Sequence, residues 1–224
     1  MNIALFGGTF DPIHNGHLQA AKAAARRFRL DRVLFVPSGN PPHKRHQRLT
    51  PYAHRFAMVS LACGGEKKFI PSLLEAPRAD GKLQYSVDTA RAVRRTLGAR
   101  DRLFFLIGLD AFFDLQQWKE PERLLALVEF IVVSRPGFRI DHLLAALPPN
   151  LAPKPRWDKS AGTVTFGRNR LHVLGGVRVP VASSDLRRAL RSGRSVTGLI
   201  SPLVEEYILK TKFYKPSVRK GSQL

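Results

Sequence analysis

Short unbroken apolar runs alternate along this chain with stretches whose apolar positions recur at helical spacing. The runs at 3–6, 32–37, 103–107 and 130–133 predict strands; that at 32–37 reads as buried, and that at 103–107 lacks the in-and-out alternation of a half-exposed strand, as a central parallel strand covered on both faces should. Leu18, Ala21, Ala25 and Phe28 share one face of a helix that Asn15 caps. A strand, a helix and a second strand within the first 37 residues make a parallel βαβ unit. A helix follows from a Thr50 cap and Pro51 to Ala62, with Phe56, Val59 and Leu61 inward and Gly64 and Gly65 ending it. Beyond it come a short strand at 69–70, a helix capped by Ser86 that stops at Gly98, and short β segments at 163–166 and 171–174. A helix capped by Ser183 or Ser184, with Arg187 in its first turn, and a last amphipathic helix at 203–209 complete the pattern. The proline-rich stretch 148–162 reads as an exposed excursion. The expected fold is α/β and Rossmann-like, a doubly wound, mostly parallel sheet with helices on both faces. One domain spans 1–214, its part from 181 helical, and a basic, disordered tail occupies 215–224.

Candidate chemistry gathers at the carboxyl ends of these strands, where open α/β sheets bind ligands. The first strand runs into GGTFDPIHNGH at 7–17. Gly7 and Gly8 permit close backbone approach, Pro12 stiffens the loop, and the helix start directs free N–H groups and a positive dipole end outward. His14 and His17 flank Gly16 and can face one anion, donating hydrogen bonds where negative charge grows. Two packed histidines at a tight turn, or a zinc site lacking further ligands, fit the same residues. The second strand ends in a loop holding Asn40 and Lys44, the lysine within reach of a phosphate. Gly108 and Asp110 follow the central strand, and this carboxylate can accept from sugar hydroxyls or cap a helix. Trp118 stacks on a flat ring or anchors its loop. Ser183, Ser184 and Arg187 form a second anion site or an ordinary capped helix.

Composition narrows the setting. A hydrophobic share of 44% supports a globular fold, and Cys63, the single cysteine, excludes an intramolecular disulfide. With no basic leader ahead of a long apolar core and no membrane-length apolar run, the chain reads as cytoplasmic, with no membrane partner. The net charge of +20 predicts affinity for polyanions. Without an aromatic RNA-binding motif, helix-turn-helix pattern or zinc finger, it predicts no specific nucleic acid.

The motif His14-Asn15-Gly16-His17 resembles the HxGH signature of the nucleotidylyltransferase superfamily. Within it the chain resembles bacterial nicotinate-nucleotide adenylyltransferases in collinear blocks. These are GGTFDPIHNGH, NPPHK at 40–44, QYSVDT at 84–89, IGLDAFFDLQQW at 107–118, SRPG at 134–137 and the stretch 181–208. The resemblance implies transfer of the adenylyl group of ATP to nicotinate mononucleotide, giving deamido-NAD and pyrophosphate. The alternatives are nicotinamide mononucleotide or another phosphorylated acceptor and, more distantly, a basic nucleic-acid-binding module on the same fold.

By the same resemblance, His14, His17, Lys44 and Arg187 hold the ATP phosphates, with Gly7, Gly8, Thr9, Phe10, Gly108 and Ser184 beside the nucleotide. Asp110 holds the ribose, and the backbone near Arg135 faces adenine. Trp118 stacks on the pyridine ring, the amides of Tyr85 and Ser86 receive the nicotinate carboxylate, and Asn40 and Lys44 border the acceptor. Mg²⁺ is expected to arrive on the ATP phosphates, with no protein site of its own, and the enzyme to be a monomer or homodimer. Ala182, Ser184 and Ser86 depart from the residues usual in the family, which puts the detail of the caps in question.

Overall fold

The computed structural model describes residues 1–41, 49–134, 137–151, 154–177 and 181–214. Its eight-stranded sheet has the order β3-β2-β1-β4-β5-β8-β7-β6. The strands are β1 (Asn2–Gly8), β2 (Arg32–Pro37), β3 (Phe69–Pro71), β4 (Arg102–Gly108), β5 (Glu129–Val133), β6 (Arg156–Asp158), β7 (Thr163–Phe166) and β8 (Asn169–Leu174). Strands β1 to β5 and β8 pair in parallel, whereas β6, β7 and β8 form an antiparallel meander. The sheet is therefore mostly parallel, and both of its borders, β3 and β6, are three residues long.

Strand pleating divides the core in two. Ile3, Leu5, Leu103, Phe105 and Ile107 point to one face, with Val87, Ala90 and Val93 of α3 (Ser86–Arg95), Leu124 and Leu125 of α5 (Pro121–Leu127) and Leu143 of α6 (Ile140–Ala145). Ala4, Phe6, Phe104 and Leu106 point to the other. That face carries α1 (Asn15–Arg27), α2 (Tyr52–Cys63), α7 (Ser183–Arg191) and α8 (Pro202–Thr211). Helices thus cover both faces, as the uninterrupted apolar runs require. Phe104 and Phe130 are fully buried at the sheet centre, where truncation to alanine costs about 3–5 kcal/mol.

Several expected boundaries shift, two of them where a tertiary partner claims the capping side chain. His14, not Asn15, caps α1, while Asn15 donates its amide to Gly198 O at 2.8 Å. Pro51, Tyr85 and Ala182 occupy the cap positions of α2, α3 and α7. Ser183 instead donates its hydroxyl to Pro12 O at 2.9 Å. With α7 starting at Ser183, Arg187 falls in its second turn rather than its first. On α2 the buried stripe is Arg55, Met58, Val59 and Cys63, and Phe56 and Leu61 are only half-buried. The 148–162 stretch contributes β6, paired to β7 with Trp157 opposite Val164.

Candidate active site

Strand order reverses between β1 and β4, whose outgoing connections diverge to opposite sides, and at that switch point the Gly7–His17 loop crosses the edge of the sheet. Gly8 leaves room for the Phe10 ring, which a Cβ there would approach to 3.0 Å and push aside. Phe10 takes a left-handed φ of 48° and is buried, with its ring 5.6 Å from that of Phe6 and 5.0 Å from that of His17. A buried aromatic thus fixes the turn from beneath.

His14 and His17 meet where the loop becomes helix. Their rings stack at 3.6 Å with 23° between planes, and the His14 backbone N–H donates to His17 Nδ1 at 3.2 Å. That bond leaves the His17 proton on Nε2, directed away from the backbone. Burial lowers the His14 pKa to about 4. Burial, and then repulsion from His14, holds His17 well below the ordinary imidazole value. Both rings are neutral at pH 7, each able to donate one N–H to a phosphate oxygen. Gly16 makes the arrangement possible, because a Cβ there would sit 2.9 Å from His14 Nδ1 and 3.2 Å from Val181 Cγ1.

Helix α7 reaches the same loop from the far end of the chain. Arg187 Nη1 donates to Asp11 O at 2.6 Å, beside the bond from Ser183 to Pro12 O. His14, His17 and Arg187 therefore converge on 11–17, with Ser184 exposed at the start of α7. Lys44 and Arg135 lie outside the described residues.

The remaining candidates line the same edge of the sheet. Gly108 ends β4 and caps α4 (Leu109–Phe112), with Asp110 exposed in its first turn. Trp118 follows a 3₁₀ turn at Leu115–Gln117 and sets its edge against Phe105, ring centres 6.0 Å apart. Tyr85 caps α3 immediately before Ser86, and Lys119 Nζ lies 4.6 Å above the Tyr85 ring. Tyr85 and Trp118 thus pack on one core face, close to a helix N-terminus suited to a carboxylate. Asn40 borders a cavity of about 520 Å³ together with Pro41, Thr50, Tyr52 and Leu83.

Two polar residues that the sequence reading left unassigned hold this edge together. Arg55, 1% exposed, donates to Thr9 O at 2.7 Å, Ser38 O at 2.8 Å and Thr50 O at 2.9 Å. It joins the segments that leave β1 and β2. Its sequence signal is an arginine at helical spacing from buried Val59 and Cys63, a charge in a core stripe. Asp11, also buried, accepts from the Thr50 backbone N–H at 3.1 Å and from the Tyr214 hydroxyl. It is the only carboxylate within 7–17, and these bonds occupy it. Among the described residues, no group of three or more His, Cys, Asp or Glu side chains is arranged to hold a metal ion.

Comparison with known proteins places the chain. The model of the cytidylyltransferase-like family matches residues 5–189. A probable nicotinate-nucleotide adenylyltransferase of Pelobacter propionicus is 38% identical over 215 residues, spanning 96% of this chain and 98% of the relative. One from Solibacter usitatus is 40% identical over 199 residues, 89% of this chain and 92% of the relative. The solved structure of Plasmodium falciparum nicotinic acid mononucleotide adenylyltransferase complexed with NaAD shares the fold at TM-score 0.71 and 19% identity, covering 95% of this chain and 97% of that one. The chain is a member of the cytidylyltransferase-like family and, within it, of the nicotinate-nucleotide adenylyltransferases.

Proposed function

We propose that this chain transfers the adenylyl group of ATP to nicotinate mononucleotide, producing deamido-NAD and pyrophosphate in NAD biosynthesis. Membership of a family whose relatives carry that activity in their names supports the reading. The observation that carries it is the meeting of two neutral imidazoles and the Arg187 guanidinium on one glycine-bearing loop at the switch point of the sheet.

The chemistry is a direct in-line displacement. An oxygen of the acceptor 5′-phosphate forms a bond to the α-phosphorus of ATP while the bond from that phosphorus to the bridging oxygen breaks, and pyrophosphate leaves with the electron pair. The acceptor phosphate is already ionised at neutral pH, so neither a protein nucleophile nor a general base is needed. The protein's work is to align two anions that repel one another and to stabilise charge as it moves onto pyrophosphate. His14 and His17 donate N–H bonds for this, and Arg187 supplies positive charge. Lys44 is assigned to the same phosphates from its place in the sequence.

Gly7, Gly8, Thr9, Phe10, Gly108 and Ser184 border the nucleotide, Asp110 its ribose and the backbone near Arg135 its adenine. On the acceptor side Trp118 stacks on the pyridine ring, the Tyr85 and Ser86 amides face the nicotinate carboxylate, and Asn40 lies at the border. A helix N-terminus favours that acid over a neutral amide. ATP is taken as its Mg²⁺ complex, the ion resting on phosphate oxygens. We assign this activity to the cytoplasm, in keeping with its place in NAD synthesis and with a single, buried cysteine.

Pyrophosphate release, measured with ATP and either the acid or the amide mononucleotide, tests the reading. The expected result is a higher kcat/KM for the acid. An equal or higher value for the amide replaces the acceptor, and no release with either removes the assignment.

A further inference from the structure

The phosphate-binding loop is held from below by the last described turn of the chain. The Tyr214 hydroxyl donates to the buried Asp11 carboxylate, whose other oxygen accepts from the Thr50 N–H. Thr50 O in turn accepts from Arg55, and Arg55 also holds Thr9 O within the loop. The C-terminal turn is itself fastened to α2. The Phe213 ring lies 4.3 Å from that of His54, and His54 Nδ1 is 2.7 Å from the Tyr207 hydroxyl of α8. One polar chain therefore runs from residue 214 to Asp11, three residues before His14, and the Asp11 backbone carbonyl also accepts from Arg187.

We propose that Tyr214 is a positioning residue for adenylyl transfer, acting through Asp11 to hold the loop that presents His14 and His17. The proposal rests on the reading of those histidines as phosphate donors. The two oxygens of one carboxyl accept from two donors, the Thr50 amide and the Tyr214 hydroxyl, and so join segments 203 residues apart in sequence. Neither Tyr214 nor Asp11 needs to touch substrate. Displacement of the donors by a fraction of an ångström lowers the rate of the chemical step far more than it weakens ground-state binding.

The test is Tyr214→Phe in the full chain, which removes one hydroxyl and keeps the ring. We expect kcat to fall about tenfold, KM for ATP to stay within about threefold, and the melting temperature to change by less than about 3 °C. Backbone amides of 9–17 should exchange hydrogen faster, with those of β4 and β5 unchanged. Asp11→Asn should lower kcat similarly, and the double variant should lose no more than the larger single loss. Unchanged kcat and unchanged exchange at 9–17, or losses that multiply in the double variant, overturn the proposal. Should the parent release no pyrophosphate, the proposed function fails, while the exchange measurement still decides the link between Tyr214 and the loop.

Discussion

The His14 imidazole stacks on that of His17 at 3.6 Å, and the His14 amide donates to the His17 ring, so the two side chains form one unit rather than two separate donors. Removing either removes a donor and also the stacking partner of the ring that remains.

His17→Ala is accordingly expected to lower kcat by roughly a hundredfold or more, the size of a lost oxyanion donor, with KM for ATP changed much less. His14→Ala should lose as much, and the double variant should fall short of the product of the two losses. Steady-state kinetics on folded variants decide the matter. Near-normal turnover of H17A removes the histidine from the mechanism.

The buried imidazoles also make stability depend on pH. Their folded pKa values lie below the ordinary 6.5, near 4 for His14 and well below 6.5 for His17, with burial the leading cause in both. Between about pH 6.5 and pH 4 the unfolded chain therefore takes up protons that the folded chain refuses, and stability falls as pH falls. Thermal melts of His14→Gln at pH 7 and pH 5 should show a smaller drop between the two conditions than the parent. Parallel drops would mean that this ring does not resist protonation.

Glu75 acts with the opposite sign. Burial pushes its carboxyl up to about 7, against the hydrogen bond that it accepts from Thr89 Oγ1 at 2.9 Å. As pH rises from about 4.5 to 7, the unfolded carboxyl releases a proton that the folded one keeps, so stability declines and the cost is complete above 7. Glu75→Gln keeps the acceptor and removes the charge. Its melting temperature should exceed the parent's by about 5 °C at pH 8 and match it at about pH 4. No gain at pH 8 would place the carboxylate in a polar setting.

Gly39 tests the packing of the cavity that Asn40 borders, which the proposed function assigns to the acceptor. A Cβ there would fall 2.3 Å from Glu75 O and 2.8 Å from Gln84 Oε1, and the first of these is backbone that cannot turn aside. Gly39→Ala should lower stability by about 1–3 kcal/mol and shift the loop carrying Asn40. Denaturant unfolding gives the first quantity, and a raised KM for the mononucleotide reports the second. At Gly16, by contrast, the nearest neighbour is a side chain, His14 Nδ1, so G16A should reduce turnover more than stability.

The central strands were legible in the sequence because parallel strands covered on both faces leave apolar runs with no alternation, as at Phe104 and Leu106. The β6 strand was not, since Arg156-Trp157-Asp158 has no such run and gains its place only by pairing with β7. Helix starts came out one residue away wherever a long-range partner took the expected cap, as Gly198 takes Asn15 and Pro12 takes Ser183. The histidine loop could be read because its residues are neighbours in sequence. Arg55 could not be given its partners, because Thr9, Ser38 and Thr50 come together only once the sheet has formed.

The brevity of the two border strands bears on how the molecule behaves among its neighbours. A foreign extended peptide seeking to lengthen the sheet would meet only Phe69–Pro71 on one side, ending in a residue with no N–H to offer, and Arg156–Asp158 on the other, where opposite charges flank the tryptophan. The interior of the sheet can therefore be as oily as its catalytic edge demands without turning the enzyme into a template for its own aggregation.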